Sequence, residues 1–171
     1  MAGAVAEILG EVRVLRLQTR AIHGVVKRNV DDLTQQEGLI QPRPGGNCLN
    51  WVVGHLLYVY DQVLPMLGQA PVLGEDTLKR YARGTSQLQN SAEAVDMQKL
   101  MAAWDEAANR VEAGLETMTA EALDRPAPFS PNSDPKETVR TLLSKIFFHQ
   151  AYRAGQTGLL RRIAGKAGAI G

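Results

Sequence analysis

The residues from which chemistry can be argued first are His149, Arg153 and Gln156, three polar side chains at consecutive positions of one apolar stripe. The stripe reads Val139, Leu142, Ile146, His149, Arg153, Gln156 and Leu160, with alternating spacings of three and four. That period belongs to the inward face of a helix. A buried imidazole, guanidinium or amide is costly unless it finds a partner, so such residues on a core face either line a cavity or hydrogen-bond within the core. A second histidine, His55, sits at mid-length on an earlier helix whose one face carries Trp51, Val52, His55, Val59 and Gln62. Helix bundles build metal sites from side chains on facing helices, which gives His55 and His149 a shared chemistry if they meet. A transition metal normally takes three or four N, O or S ligands, and neither helix carries two histidines four residues apart. Spacing alone therefore leaves a ligand pair and two hydrogen-bonded core histidines both open.

Four long helices must position these residues. The first is expected from Val5 to about Arg28, with Val5, Ile8, Val12, Leu15, Thr19, Ile22 and Val26 as its seam and His23 at the edge. Thr34 and Glu37 form a capping box for one short turn, and Pro42, Pro44, Gly45 and Gly46 then break the chain. Asn47 is expected to cap a second helix from Cys48 to about Leu67, with Pro65 ending or kinking it. The stretch from Gly68 to about Val95 reads as a long crossover with one helical turn near Leu78. The third helix runs from about Met97 to Met118, with Leu100, Trp104, Ala107, Val111 and Met118 inward. A Pro-rich break, Arg125 to Pro131, precedes the last helix. Its start is expected at Asp134 as cap, with Pro135 at the first position, Glu137 completing a capping box and Gly165 beyond the end. The fold expected is all-α: an antiparallel four-helix bundle with a long crossover connection, formed as one domain over residues 1–171.

Composition agrees. The chain is 44% hydrophobic, 22% charged and only 5% aromatic, which favours helices over a sandwich or barrel. A net charge of +1 without a basic stripe argues against a nucleic-acid partner. Cys48 is the only cysteine, so no intrachain disulfide forms. No apolar run approaches the roughly 20 residues that span a bilayer, and no signal-peptide core is visible, so a cytoplasmic protein with no membrane contact is expected.

Two motifs give these residues a family. Pro44-Gly-Gly-Asn-Cys-Leu-Asn-Trp-Val-Val-Gly-His55-Leu resembles the start of the second helix in the DinB/YfiT-like superfamily, where that histidine is a metal ligand. Phe148-His149-Gln-Ala-Tyr-Arg153-Ala-Gly155-Gln156 resembles the last-helix signature, in which two histidines four apart are followed by Gly-Gln. The resemblance spans nearly the whole chain in layout and about two short motifs in identity. It implies a bundle that holds zinc or nickel and acts as a metal-dependent hydrolase or a transferase using low-molecular-weight thiols. It also implies a homodimer, for which Trp51 and Trp104 are candidate anchors besides their core role.

Carried over, His55 and His149 match two ligands, and the third ligand position is Arg153. A guanidinium is always protonated and has no lone pair to give. The resemblance therefore implies an incomplete site in which metal is weak or absent, with His23 as the candidate replacement ligand and Asp61 and Gln156 as poorer ones. Three readings follow. The first is a metal-dependent enzyme in which Arg153, Gln156 and Tyr152 bind substrate. The second is a metal-free protein that binds a small anionic ligand, with Arg153 in the metal's place. The third is a structural dimeric bundle. Tyr58 and Tyr60 are further candidates for lining the cavity. Gly54 and Gly155 are candidates for close helix contact.

Overall fold

A computed structural model describes residues 2–170, with side chains from residue 10 onward. Its elements are α1 (Ala2–Val30), α2 (Gln35–Gly38), α3 (Leu49–Val63), α4 (Glu75–Leu78), α5 (Met97–Glu116), α6 (Ala120–Asp124) and α7 (Val139–Ile163), with short 3₁₀ turns between them. Among the described residues there is no strand, only an isolated bridge between Pro126 and Thr138.

The four long helices α1, α3, α5 and α7 make the bundle. α1 packs on α5 and α7, and α3 packs on the same two, so α1 and α3 lie on a diagonal. The pairings fix the directions. Arg16, Arg20 and Lys27 of α1 meet Glu116, Glu112 and Asp105 of α5 in reverse order, so those helices are antiparallel. Glu11 meets Arg140 and Asn29 meets Thr157, so α1 and α7 are parallel. Asn50 hydrogen-bonds the Val95 carbonyl just before α5, and Leu67 lies against Gly114 near its end, so α3 and α5 are parallel as well. The long crossover makes this possible by carrying the chain from the end of α3 back to the level of its start.

The α1 seam is as expected where its side chains are described: Val12, Thr19, Ile22 and Val26 are buried and Leu15 is half-buried. Val5 and Ile8 lie outside the described side chains. The Thr34–Glu37 capping box forms. Two helix starts differ from expectation. The cap of α3 is Cys48 rather than Asn47, because the Cys48 carbonyl takes the first helical bond, from Val52 N–H. The cap of α7 is Thr138, boxed with Thr141, not Asp134. Here the cause is tertiary. Ala127 N–H donates to the Glu137 carbonyl and Val139 N–H to that of Arg125, which holds residues 135–137 against the Pro-rich segment and off the helix. The Glu137 side chain, 5% exposed, accepts from Ser130 and Thr141 and pairs with Lys145 instead of capping a helix.

The crossover is fastened to α3 along its length, most firmly at Asp61 and Tyr81. The Asp61 carboxylate accepts the backbone N–H groups of Val72, Leu73 and Gly74 at 2.7–3.0 Å. Tyr81 is fully buried; its hydroxyl donates to Asn50 and accepts from Val95 N–H, and its ring lies flat on Gly54. A β-carbon at Gly54 would stand 2.3 Å from Tyr81 Cδ1. The close contact made by Gly54 is thus with the crossover. Nothing described lies within 4 Å of where a Gly155 β-carbon would be. No helix is long and apolar enough to cross a membrane among the described residues.

Candidate functional site

His55 occupies the second turn of α3 and is 3% exposed. Its ring stacks on Trp51, one turn back, at 4.8 Å between centroids and 15° between planes. Its Nδ1 lies 2.7 Å from the Tyr81 carbonyl oxygen. A carbonyl oxygen only accepts, so Nδ1 carries the proton and Nε2 presents a lone pair. Burial pushes the imidazole's pKa down to about 4, with the positive charges of His149 and Arg153 acting in the same direction and the Tyr81 carbonyl opposing them. The ring is neutral at ordinary pH.

His149 reaches the same point from α7. Its Nε2 is 3.2 Å from His55 Nε2, and the rings meet edge to face. Burial, then the charge of Arg153, lowers its pKa too. Its Nδ1 is buried without a hydrogen-bond partner among the described residues. Arg153, one turn on, directs Nε at His149 Nε2 over 3.5 Å and donates from Nη1 to Gln156 Oε1 at 2.9 Å. His149 Nε2 cannot both donate to His55 and accept from Arg153, so either a shared proton lies between the two imidazoles or both lone pairs converge on one point.

Both histidines open onto a cavity of about 430 Å³. Tyr58, Val59, Ile146 and Phe129 supply apolar wall, and Arg83, Lys145 and Asn132 supply polar groups. The Pro-rich segment is its roof, held down by the Glu137 contacts with Ser130 and Lys145. Lys145 pulls the Glu137 carboxyl's pKa down to about 2, with Thr141 adding to the effect. Neither Arg83 nor Arg153 has a carboxylate partner among the described residues.

The two motif histidines thus meet. The other candidates are placed elsewhere. His23 is bonded to Asp105 at 2.7 Å and stacks on Trp104, on the α1–α5 side of the bundle. Asp61 is consumed by the crossover amides. Tyr58 lines the cavity, whereas Tyr60 is fully buried against Trp104 and Tyr152 is 61% exposed beside Arg153. Trp51 and Trp104, at 3% and 0% exposure, are interior and offer nothing to a partner. Lys145 was not singled out from the sequence, yet it lies one turn before His149, a spacing that could have revealed it. The Tyr81 carbonyl left no such signal, because a backbone group on a remote loop has no side-chain type to read.

Two imidazoles bound to one tetrahedral ion through bonds of ~2.0–2.1 Å would hold their nitrogens about 3.3 Å apart. The observed 3.2 Å and the carbonyl behind His55 suit such a pair. The third position does not, since a guanidinium stands there and no group of three or more His, Cys, Asp or Glu side chains that could hold a metal occurs among the described residues. The donor set does not fit a resident three-ligand centre.

The family model of the DinB superfamily matches residues 18–157, more than half of the chain. Among solved structures, a conserved protein from Enterococcus faecalis superimposes with a TM-score of 0.69 at 17% identity, covering 90% of this chain and 97% of the other. At that identity the likeness is one of fold. No curated protein matches.

Proposed function

Because the chain belongs to the DinB superfamily, we propose that its histidine cavity is a small-molecule site in which the fixed charge of Arg153 stands where a metal would otherwise be held, and that it binds a small anionic ligand. The observation that carries this reading is the Arg153 guanidinium 3.5 Å from His149 Nε2, with no carboxylate among the described residues to neutralise it. A cation in the third ligand position repels a divalent ion and attracts an anion. Arg83, which lines the cavity, adds a charge that has no carboxylate partner among the described residues, whereas Arg153 stands behind His149. A carboxylate in the cavity gains a hydrogen bond from a His149 N–H that faces it, the His55 N–H being committed to the Tyr81 carbonyl, and a favourable field from both arginines. Gln156 holds the guanidinium in place through Nη1. Thermal shift with acetate, benzoate and succinate tests this. Millimolar ligand should raise Tm, since a native-state binder stabilises by mass action. Arg153→Gln should weaken binding roughly 10- to 100-fold, the worth of a charge-assisted hydrogen bond. No shift from any of them would sink the reading.

The 3.2 Å between the two Nε2 atoms favours a second reading, a metal-dependent hydrolase or thiol-dependent transferase in which Arg153 swings aside.

We also propose a homodimer through the outer face of α7. Phe148, Tyr152, Leu159 and Ile163 form an apolar stripe exposed by 39–74%, with Phe148 and Leu159 bordering the grooves between α7 and α1. It spans sixteen residues of one helix, a rise of about 22 Å, and a two-fold axis would bring the same stripe of a second copy against it.

A further inference from the structure

A second cavity, of about 560 Å³, continues along α3 from the first. Tyr58, Gln62 and Phe129 border both. The far one ends at Pro65, Leu78 and Glu75. From His55 to Pro65 the helical chain advances about 15 Å, which gives the joined trough its length. Its two ends differ in charge. Arg83 and Lys145 line the histidine end, where Lys145 is already paired with Glu137 and Arg83 has no carboxylate partner among the described residues. Glu75 and Asp61 line the other, where Asp61 is already committed to three backbone amides. The walls between are largely apolar: Val59, Ile146 and Phe129, then Pro65 and Leu78. A simple anion would leave most of this apolar length against water.

Resting on the anion-binding reading above, we propose that the ligand is an amphipathic carboxylate, whose head lies over His55 and His149 and whose apolar body runs past Tyr58 and Gln62 into the second cavity. The charge pattern fixes its direction, because the carboxylates at the far end repel the head. The size fits: ligand pockets for organic molecules hold roughly 300–1,000 Å³ and are mainly apolar with a few convergent polar groups.

Calorimetric titration of the full chain with acetate, butanoate, hexanoate and octanoate tests this. Affinity should rise roughly two- to fourfold for each added methylene from butanoate to octanoate, as apolar surface leaves water, with one molecule bound per chain. Gln62→Trp should block the passage. Gln62 is exposed, so the variant should keep its helical circular dichroism. Whatever its effect on acetate, the variant should lose the rise in affinity from butanoate to octanoate, the ratio of the two falling to about one. Arg83→Glu should weaken every member of the series by a similar factor. Octanoate binding no tighter than butanoate, or an octanoate gain that survives Gln62→Trp, would overturn the trough. Failure of acetate and butanoate to bind at all would instead overturn the anion site beneath it.

Discussion

His55 Nε2 and His149 Nε2 stand 3.2 Å apart, and the Tyr81 carbonyl 2.7 Å behind His55 fixes which of its nitrogens carries the proton. This couples the crossover to the site. A loop residue decides the tautomer of a helix residue, and that tautomer aims a lone pair at His149.

The first consequence is a dependence of stability on pH. His55 has its pKa lowered to about 4 by burial, and that of His149 is lowered too. An unfolded histidine titrates near 6.5, so between roughly pH 6.5 and 4 the unfolded chain binds more protons. Their contribution is fully present above that window and is lost as pH falls through it. Urea unfolding should therefore show stability declining from about pH 7 to 4. His55→Gln should flatten the decline, by something on the order of 2–3 kcal/mol across the window. An unchanged profile in the variant would show that His55 is not held neutral by burial.

Gly54→Ala should disturb the same coupling from the other side. Its β-carbon would overlap the Tyr81 ring, which is buried and hydrogen-bonded at its hydroxyl and so has little room to yield. Overpacking of this kind costs about 1–3 kcal/mol. The variant should melt several degrees lower, and its His55 Nδ1–H resonance should shift or broaden as the carbonyl moves. A variant as stable as the parent, with that resonance in place, would mean that Tyr81 does not set the position of His55.

The exposed stripe on α7 makes a prediction about assembly. Phe148→Glu and Leu159→Glu place charges at residues 74% and 60% exposed in the single chain, so folding should survive. Sedimentation at micromolar concentration should give a dimer for the parent and the 18.6 kDa species for the double variant. A parent that sediments as 18.6 kDa would contradict the dimer.

Much of this was legible in the sequence where local chemistry decides. The four long helices, the Thr34–Glu37 box and the end of α7, with Gly165 at φ +84° beyond it, follow from periodicity and end signals. The meeting of His55 and His149 was expected from their mid-length places on two core-facing helices as well as from the family resemblance. What escaped depends on distant partners. Asp134, Pro135 and Glu137 form a sound helix start by type, yet backbone bonds to Arg125 and Ala127 hold that stretch off the helix. Trp51 and Trp104 read equally as core or interface until stacking on His55 and Tyr60 places them inside. α7 is apolar on its outer face as well as its inner ones, so one periodic stripe described it incompletely.

In the proposed reading Arg153 keeps this site from holding a metal while two well-placed imidazoles remain. Calorimetric titration of zinc and nickel into the parent, Arg153→His, and Arg153→His with His55→Ala tests it most directly. Residues 149 and 153 are one helical turn apart, so a histidine at 153 shares the face of His149, and His55 completes a three-ligand set. The parent should bind weakly, Arg153→His should bind one ion with affinity at least a hundredfold greater, and removal of His55 should abolish the gain. A parent that already binds one ion tightly, or an Arg153→His protein that binds no better than the parent, would contradict the account.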